Sequence, residues 1–350
     1  MPDNLDPTGR DDSTGAIEYA LDVAARSARG GQLAAGNVYW TTRPTVRLPA
    51  GVYRTTRAIR MPKAVNIVSD GAVLQGDGSH DGLTWDHAWR ATVRGLTFLD
   101  YATALRMPTG NLDEAMIHVD HCGAQRCRAF VDTVSYAASR STLVKLSNCI
   151  VDTAQVRVYA DQVNLDSCWF YHSGQSEAAI VLDGNASVTN CVGVPRGDFH
   201  TAPERRWIDF HAIDLARSLA VRDCRFGAES GGITLVHNYA AGNVDFLASD
   251  LSQVCITIDT VKSCPVMAGP GRRCSVLLYA MPNGIDLRQV NGSEHADGIV
   301  AVHPSMTVPA PTEANLRRYS IAIDRPTRRL REYWGQDVLP ASLVDYLRWD

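Results

Sequence analysis

Acidic and histidine side chains recur near the ends of short apolar segments in the middle of the chain. Two carboxyl groups about 5 Å apart suit a retaining glycosidase, and a wider pair suits an inverting one. A histidine could instead serve as the base of a lyase, with a cation neutralising a uronate. The candidate catalytic residues on these segments are Asp183, Asp209, His211 and His237.

Six further residues near the same segments could hold a sugar. Arginine can pair with a carboxylate or phosphate, and an aromatic ring offers a flat surface for a sugar ring. Three of the six lie in the stretch VPRGDFHTAPERRWIDFHAID, where an inserted loop beside a groove is predicted. The candidate substrate-binding residues are Arg157, Tyr159, Arg205, Arg206, Trp207 and Asp259.

Seven segments must position these side chains, and each alternates apolar and polar residues with the period of a β-strand. Alternation places residues such as Ile208, Phe210 and Leu235 inward and the candidate residues outward or at strand ends. If successive segments stack one coil apart, Asp183 could neighbour Asp209 or His211 at about 5 Å. The segments are residues 104–107, 129–133, 156–160, 179–184, 207–212, 233–237 and 256–259.

A cysteine-centred phrase recurs along the same region and predicts how the coils stack. The phrases are IHVDHC, VKLSNC, VNLDSC, ASVTNC and LAVRDC, which end at Cys122, Cys149, Cys168, Cys191 and Cys224. Units that recur on this scale indicate a solenoid. We expect the cysteines to form an interior column, with the short polar residue before each one at a bend. A leucine-rich repeat would need a more regular interval and more leucine, so a β-helix is favoured.

Composition excludes several classes of function. The 350 residues carry a net charge of −4 with a pI of about 6.2, which argues against a nucleic-acid partner. No apolar run is long enough for a membrane helix. The chain has no GxGxxG, P-loop, CxxC or HExxH motif, so neither a cofactor nor a metal is expected. The amino terminus lacks the features of a signal peptide, which predicts a cytoplasmic protein or release in a phage-like particle.

The ends of the solenoid differ from its middle. Residues 12–29 show a helical stripe of apolar side chains, which we interpret as a cap over the first coil. The predicted organisation is an N-terminal segment with this helix over residues 1–35, a parallel β-helix over 36–311, and a C-terminal cap or subunit contact over 312–350.

Three N-terminal stretches resemble a known family. DPTGRDDSTGAIEYALDVAA, VRLPAGVYRTTRAIRM and GAVLQGDG look like the opening segment of the pectate-lyase-like β-helix superfamily, over residues 6–78. That superfamily includes phage tailspikes, polysaccharide depolymerases and polygalacturonases. The resemblance implies an all-β, right-handed parallel β-helix that is often a homotrimer and often acts on carbohydrate.

The leading hypothesis is therefore a carbohydrate-active enzyme, a hydrolase or a lyase, that cleaves a glycosidic bond of an oligo- or polysaccharide in a groove on the solenoid. Two alternatives stay open. One is a non-catalytic trimeric receptor-binding or tail-fibre-like protein. The other is an intracellular isomerase or cyclase that acts on a small metabolite.

Overall fold

The computed structural model describes most of the first two thirds of the chain and separate strands beyond it. It describes residues 5–32, 38–40, 42–86, 88–107, 116–133, 141–172, 178–196, 206–210, 218–222, 224–226, 234–238, 243–247, 256–260, 272–278, 285–286, 296–302 and 319–323. The chain divides into two compact units, Met1–Tyr171 and His172–Asp350, and each unit is described by itself.

The first unit is built from short strands and one helix. Its strands are β1 (Thr8–Asp12), β2 (Gly30–Gln32), β3 (Val38–Trp40), β4 (Thr45–Leu48), β5 (Gly51–Arg54), β6 (Ile59–Arg60), β7 (Asn66–Gln75), β8 (Leu83–Thr84), β9 (Ala91–Leu99), β10 (Thr103–Arg106), β11 (Met116–Asp120), β12 (Gly123–Gln125), β13 (Ala129–Asp132), β14 (Ser141–Ser147), β15 (Ile150–Asp152), β16 (Gln155–Asp166) and β17 (Trp169–His172).

Parallel pairing sorts these strands into three sheets that run through successive coils. Sheet A contains β4, the first halves of β7 and β9, then β11, β14 and the second half of β16. Sheet B contains β5, the second halves of β7 and β9, then β12, β15 and β17. Sheet C contains β6, β8, β10, β13 and the start of β16. Each coil therefore contributes one strand to each sheet.

The helix α1 (Thr14–Ala25) begins after Ser13 and lies against β4 and β6. It buries the apolar stripe that includes Ile17 and Leu21. Its polar side is tied to the coil below by Glu18, which accepts a hydrogen bond from Arg57 at 2.6 Å. The helix thus covers apolar side chains at the end of the unit, as the sequence predicts.

The second unit repeats the same pairing. Its strands are β18 (Ile180–Thr189), β19 (Val192–Pro195), β20 (Arg206–Phe210), β21 (Ser218–Arg222), β22 (Arg225–Phe226), β23 (Thr234–Asn238), β24 (Asn243–Leu247), β25 (Ile256–Thr260), β26 (Arg272–Leu278), β27 (Ile285–Asp286), β28 (Ala296–Val302) and β29 (Tyr319–Ile323). Sheet D contains the second half of β18 and then β21, β24, β26, β28 and β29. Sheet E contains β19 and β22, and sheet F contains the first half of β18 and then β20, β23, β25 and β27.

The predicted parallel β-helix with an N-terminal helix is confirmed, since all seven proposed segments contain strands of sheet C or sheet F. The predicted inward position on strand β23 was wrong by one residue. Ile208 pairs with Val236, and Val236 pairs with Ile258, so Val236 rather than Leu235 continues the apolar column. In the predicted C-terminal cap, β29 still pairs with β28; the rest of residues 312–350 lies outside the described residues.

The predicted cysteine column is present in both units. In the first, the Cys149 thiol donates to the Val119 carbonyl and the Cys168 thiol to the Leu146 carbonyl, both at 3.7 Å and both one coil back. In the second, the Cys224 thiol donates to the Val188 carbonyl at 3.3 Å. The six described cysteines are all buried and form no disulfide bond, namely Cys122, Cys127, Cys149, Cys168, Cys191 and Cys224. Their role is packing at a corner.

The residue before each cysteine turns the chain from one sheet to the next. His121, Asn148, Ser167 and Asn190 have φ values of 50, 53, 56 and 53°. This left-handed conformation is disfavoured for most side chains and is tolerated best by short polar ones. The polar residue in each phrase is therefore required by the corner, as the sequence predicts; Asp223, the fifth, lies outside the described residues.

Gly95 occupies the same corner one coil earlier and gives a test of this geometry. Its φ is 69°, and a Cβ there would lie 2.0 Å from the Ser69 carbonyl oxygen. We expect Gly95→Ala to destabilise the protein by more than the ~1–2 kcal/mol of the left-handed conformation alone. Gly78→Ala is the matched control, because Gly78 has φ 85° and nothing within 4 Å of the added Cβ. Equal losses in denaturant unfolding of the two variants would contradict a close approach at this corner.

The buried corner thiols should be chemically inert. Burial raises the pKa of Cys122 to about 12 and the pKa of Cys127 to about 11. Because the thiolate is the reactive form, we expect neither residue to be alkylated by iodoacetamide at about pH 8 until the protein is denatured. Peptide mass spectrometry with and without guanidinium measures this. Rapid labelling of either residue in the folded protein would show that the corner opens.

Candidate functional site

Sheet F places three predicted site residues on one column. Asp209 of β20 pairs in register with His237 of β23, and His237 pairs with Asp259 of β25. Neighbouring strands lie about 4.8 Å apart, so the three positions follow one another at that spacing. Acidic and imidazole groups repeated at this distance can share or transfer a proton around one substrate. The sequence placed these residues on strands but did not predict that they share a column.

Asp183 stands beside this column rather than in it. Asp209 pairs with Val181, not with Asp183, so the expected direct pair of Asp183 and Asp209 was wrong. Two residues along a strand span about 6.6 Å, which puts the two Cα atoms roughly 8 Å apart on the same side of the sheet. His211, the other predicted neighbour of Asp183, lies outside the described residues.

Both carboxylates are enclosed. Asp183 is 0% exposed and Asp209 is 5% exposed. Their neighbours Ile180, Val181 and Leu182 are buried as well, so both sides of this part of β18 are covered. The sequence predicted outward and solvated positions here. A charged group is costly to bury unless it is hydrogen-bonded or paired.

Trp207 is not a surface for sugar stacking, which corrects the prediction made from sequence. Its side chain is 0% exposed. Its ring packs against His172 and Phe226, with centroid distances of 5.8 and 5.4 Å. A ring enclosed by aromatic neighbours contributes packing, and its face is not available to a ligand.

Arg157 and Tyr159 belong to the first unit, on β16. Arg157 follows Asp132 in the register of sheet C, and Asp132 follows Arg106. Arg106 donates to Asp132 at 2.6 Å and to Asp81 at 3.1 Å. Burial alone would lower the pKa of Arg106, but the hydrogen bond to Asp81 and the charge of Asp132 raise it. This outward column of sheet C is thus an alternating set of charges.

The remaining predicted residues are described only in part. Arg206, His237 and Asp259 have described backbone positions on β20, β23 and β25. Arg205 and the inserted loop before it lie outside the described residues, as does His211.

A polar cluster on the outer side of sheet A was missed by the sequence reasoning. Ser147 donates to Asp120 at 2.9 Å and lies 2.8 Å from Nε2 of His118. Asn148 donates to the same oxygen of Asp120 at 3.1 Å, and His121 lies 2.9 Å from it. The signal was available, because Asp120 and Ser147 occupy equivalent places in the phrases IHVDHC and VKLSNC.

The order of donors in this cluster decides its chemistry. Since Ser147 gives its proton to Asp120, His118 must donate its Nε2 proton to Ser147, and the histidine is not a base for that hydroxyl. Burial lowers the pKa of His118, and the charge of Lys145 lowers it further. Burial alone would raise the pKa of Asp120, but hydrogen bonds from Asn148, His121 and Ser147 lower it to about 2. The cluster is a fixed hydrogen-bonding network rather than a nucleophile.

The lowered pKa of Asp120 makes a prediction about stability and pH. Folding favours the ionised form of Asp120. Its contribution to the free energy of unfolding is therefore complete above about pH 4 and is lost as pH falls towards 2. We expect Asp120→Asn to cost ~2 kcal/mol at pH 7 and to flatten the loss of stability between about pH 4 and 2. Asp70→Asn is the control, because the Asp70 side chain is 81% exposed. Denaturant unfolding at several pH values measures this; unchanged pH dependence in Asp120→Asn would contradict it.

The described residues also form a separate cavity beside α1. It has a volume of about 470 Å³ and is lined by Glu18, Asp22, Arg60, Met61, Pro62, Lys63 and Asp86. None of the sequence-predicted residues lines it.

Within the described ranges, no helix is long and apolar enough to cross a membrane. The described residues contain no group of three or more metal-ligating side chains placed to hold an ion.

The strand pairing defines the protein as a parallel β-solenoid. No protein-family model matches the sequence, and no curated protein matches it. Among solved structures, one similar chain comes from Parabacteroides merdae and is described as a "putative glycosyl hydrolase". The two are 14% identical with a TM-score of 0.27, and the match covers 70% of this chain and 91% of that one.

Proposed function

We propose that this protein cleaves a glycosidic bond of an oligo- or polysaccharide, with the chemistry on sheet F. The observation that carries the proposal is the column of Asp209, His237 and Asp259 on three successive strands. General acid and base catalysis needs two titratable groups on either side of one bond, and this column supplies carboxylates and an imidazole at a repeated short spacing.

The separation of the two carboxyl groups decides between retention and inversion in a glycosidase. Inverting glycosidases separate their carboxyl groups by about 6.5–9.5 Å to admit a water, whereas retaining enzymes hold them at about 5–5.5 Å. Strand spacing gives only the distance between the Cα atoms of Asp183 and Asp209, roughly 8 Å, so the proposal covers both stereochemical outcomes. In this proposal Asp209, His237 and Asp259 supply the acid and base groups, because Asp183 is 0% exposed and is not available to a polysaccharide.

Burial favours a second candidate. Because Asp183 and Asp209 are 0% and 5% exposed, an isomerase or cyclase that encloses a small metabolite is the alternative enzyme. A trimeric receptor-binding protein is the non-catalytic alternative, and it would need neither carboxylate. Turnover of a glycan distinguishes the proposed glycosidase from both alternatives.

The test is product release from a panel of neutral and acidic polysaccharides. We expect new reducing ends from at least one of them, and NMR of the first product then distinguishes retention from inversion. Asp209→Asn keeps the side-chain volume but removes the charge, so it should lower the rate by at least ~100-fold. His237→Ala should lower it as well.

Asp70→Asn serves as the control for this experiment, because Asp70 is an exposed residue of the first unit. Circular dichroism of each variant separates lost chemistry from lost folding. No turnover of any glycan by the folded wild-type protein would overturn the proposal, and an ultraviolet-absorbing unsaturated product would replace hydrolysis with a lyase reaction.

A further inference from the structure

A histidine in the loop at residues 76–82 is held between two backbone carbonyls. Nδ1 of His80 lies 2.9 Å from the Asp81 carbonyl oxygen, and Nε2 lies 3.2 Å from the Thr55 carbonyl oxygen. Thr55 directly follows β5, so the second contact joins the loop to the coil before it. The His80 side chain is 13% exposed, so water competes poorly for either contact.

Two carbonyl acceptors require two donors. A carbonyl oxygen can only accept a hydrogen bond, and a neutral imidazole carries a proton on one ring nitrogen alone. The imidazolium ion donates from both nitrogens and satisfies both carbonyls. In the neutral ring, one nitrogen would turn its lone pair towards a carbonyl oxygen. One of the two contacts is therefore lost together with the proton.

Neighbouring groups enclose the ring and the backbone that carries it. Tyr101 packs edge-on against the His80 ring at a centroid distance of 5.4 Å, and the Tyr101 hydroxyl lies 2.7 Å from Oγ1 of Thr55. The backbone N–H of Ala102 donates to the His80 carbonyl oxygen at 2.9 Å. Because the ring is enclosed in this way, we expect the loss of one carbonyl contact to loosen the loop as well as the ring.

Two carboxylates of the same loop lie close to the ring. Asp77 is 3.9 Å from Nε2 of His80, and hydrogen bonds from Ser79 lower the pKa of Asp77, so it stays ionised where a histidine titrates. Its negative charge favours the imidazolium ion. Asp81 accepts a hydrogen bond from Nε of Arg106 at 3.1 Å, so the loop also holds a charged side chain of sheet C.

The titratable groups on the elements packed against the loop are engaged elsewhere. After β9, burial raises the pKa of Tyr101, so its hydroxyl stays neutral, and Asp100 is held by Arg126 at 2.7 Å. Beside Thr55, Asp12 accepts a hydrogen bond from Oγ1 of Thr56 at 2.8 Å. An imidazole changes charge between about pH 5 and 8, whereas these carboxylates and this phenol do not.

We propose that His80 is a pH-dependent clamp between the loop at residues 76–82 and the corner at Thr55. The protonated ring donates to both carbonyls and holds the loop against the coil before it. The contribution is present at acidic pH and is lost as pH rises, the sign expected for a group that folding favours in its charged form. The clamp needs no chemistry on sheet F and does not depend on the proposed function.

The test is hydrogen–deuterium exchange of the full chain at about pH 5.5 and 7.5, corrected for the intrinsic pH dependence of exchange and read on peptides that cover residues 76–82. We expect protection of these amides to fall about tenfold at the higher pH, because one hydrogen bond to a charged group is lost. His80→Gln keeps a donor but cannot be protonated, so it should show the lower protection at both pH values.

His121→Gln is the matched control, because His121 is a histidine of another corner whose side chain is 57% exposed. It should keep the pH dependence of the wild-type loop. Nitrogen-15 NMR of the wild-type imidazole rings tests the clamp without any variant. At the lower pH, both ring nitrogens of His80 should carry a proton, and at the higher pH only one should.

Four results would overturn the proposal. They are equal protection of the wild-type loop at both pH values, the same pH dependence in His80→Gln and the wild type, and a His80 ring with one protonated nitrogen at the lower pH. The fourth is a loss of the pH dependence in Asp77→Asn, which would assign it to the ion pair at 3.9 Å rather than to the two carbonyls.

Discussion

Parallel backbone pairing between successive coils sets the spacing of every side chain described above. Each coil hydrogen-bonds to the next at about 4.8 Å, so residues in register become neighbours whatever the number of residues between them. Asp209 and His237 are adjacent for this reason, as are Ile150 and Trp169. The candidate sites of such a protein are therefore sets of side chains that share a register position on successive strands. Such a set can be identified only once the register is known.

The corners hold that register. At the Cys-bearing corner a left-handed residue turns the chain, and the thiol that follows enters the interior and bonds a carbonyl of the coil before it. A small apolar side chain with a weak donor suits this place, because it fills little volume and still satisfies a buried carbonyl. The same requirement explains why the six described cysteines are buried and form no disulfide bond, in a chain that contains nine cysteines.

The corner phrase is also what made the fold predictable from sequence. Alternation with a period of two, a short polar residue and a cysteine together specify a strand, a bend and an inward position. The site was less predictable, because loops between coils take insertions and the intervals then do not give the register. Two strand pairs show the consequence. Between β20 and β23, Val236 rather than Leu235 continues the apolar column, a shift of one residue. Between β18 and β20, Asp209 lies opposite Val181 rather than Asp183, a shift of two residues.

The two tryptophans show how position decides the role of a side chain here. Sequence reasoning chose Trp207, because it lies in the stretch predicted to form a loop beside a groove and its flat ring suits a sugar, yet the ring is enclosed by His172 and Phe226. Trp169 directly follows an inward cysteine, and alternation then requires its side chain to leave the interior while Phe170 enters it. Phe170 is 1% exposed and Trp169 is 46% exposed, as this rule demands. Outward positions of a solenoid are not constrained by the stacking of its interior, so the residue type alone does not decide whether a tryptophan packs in the core or faces outward.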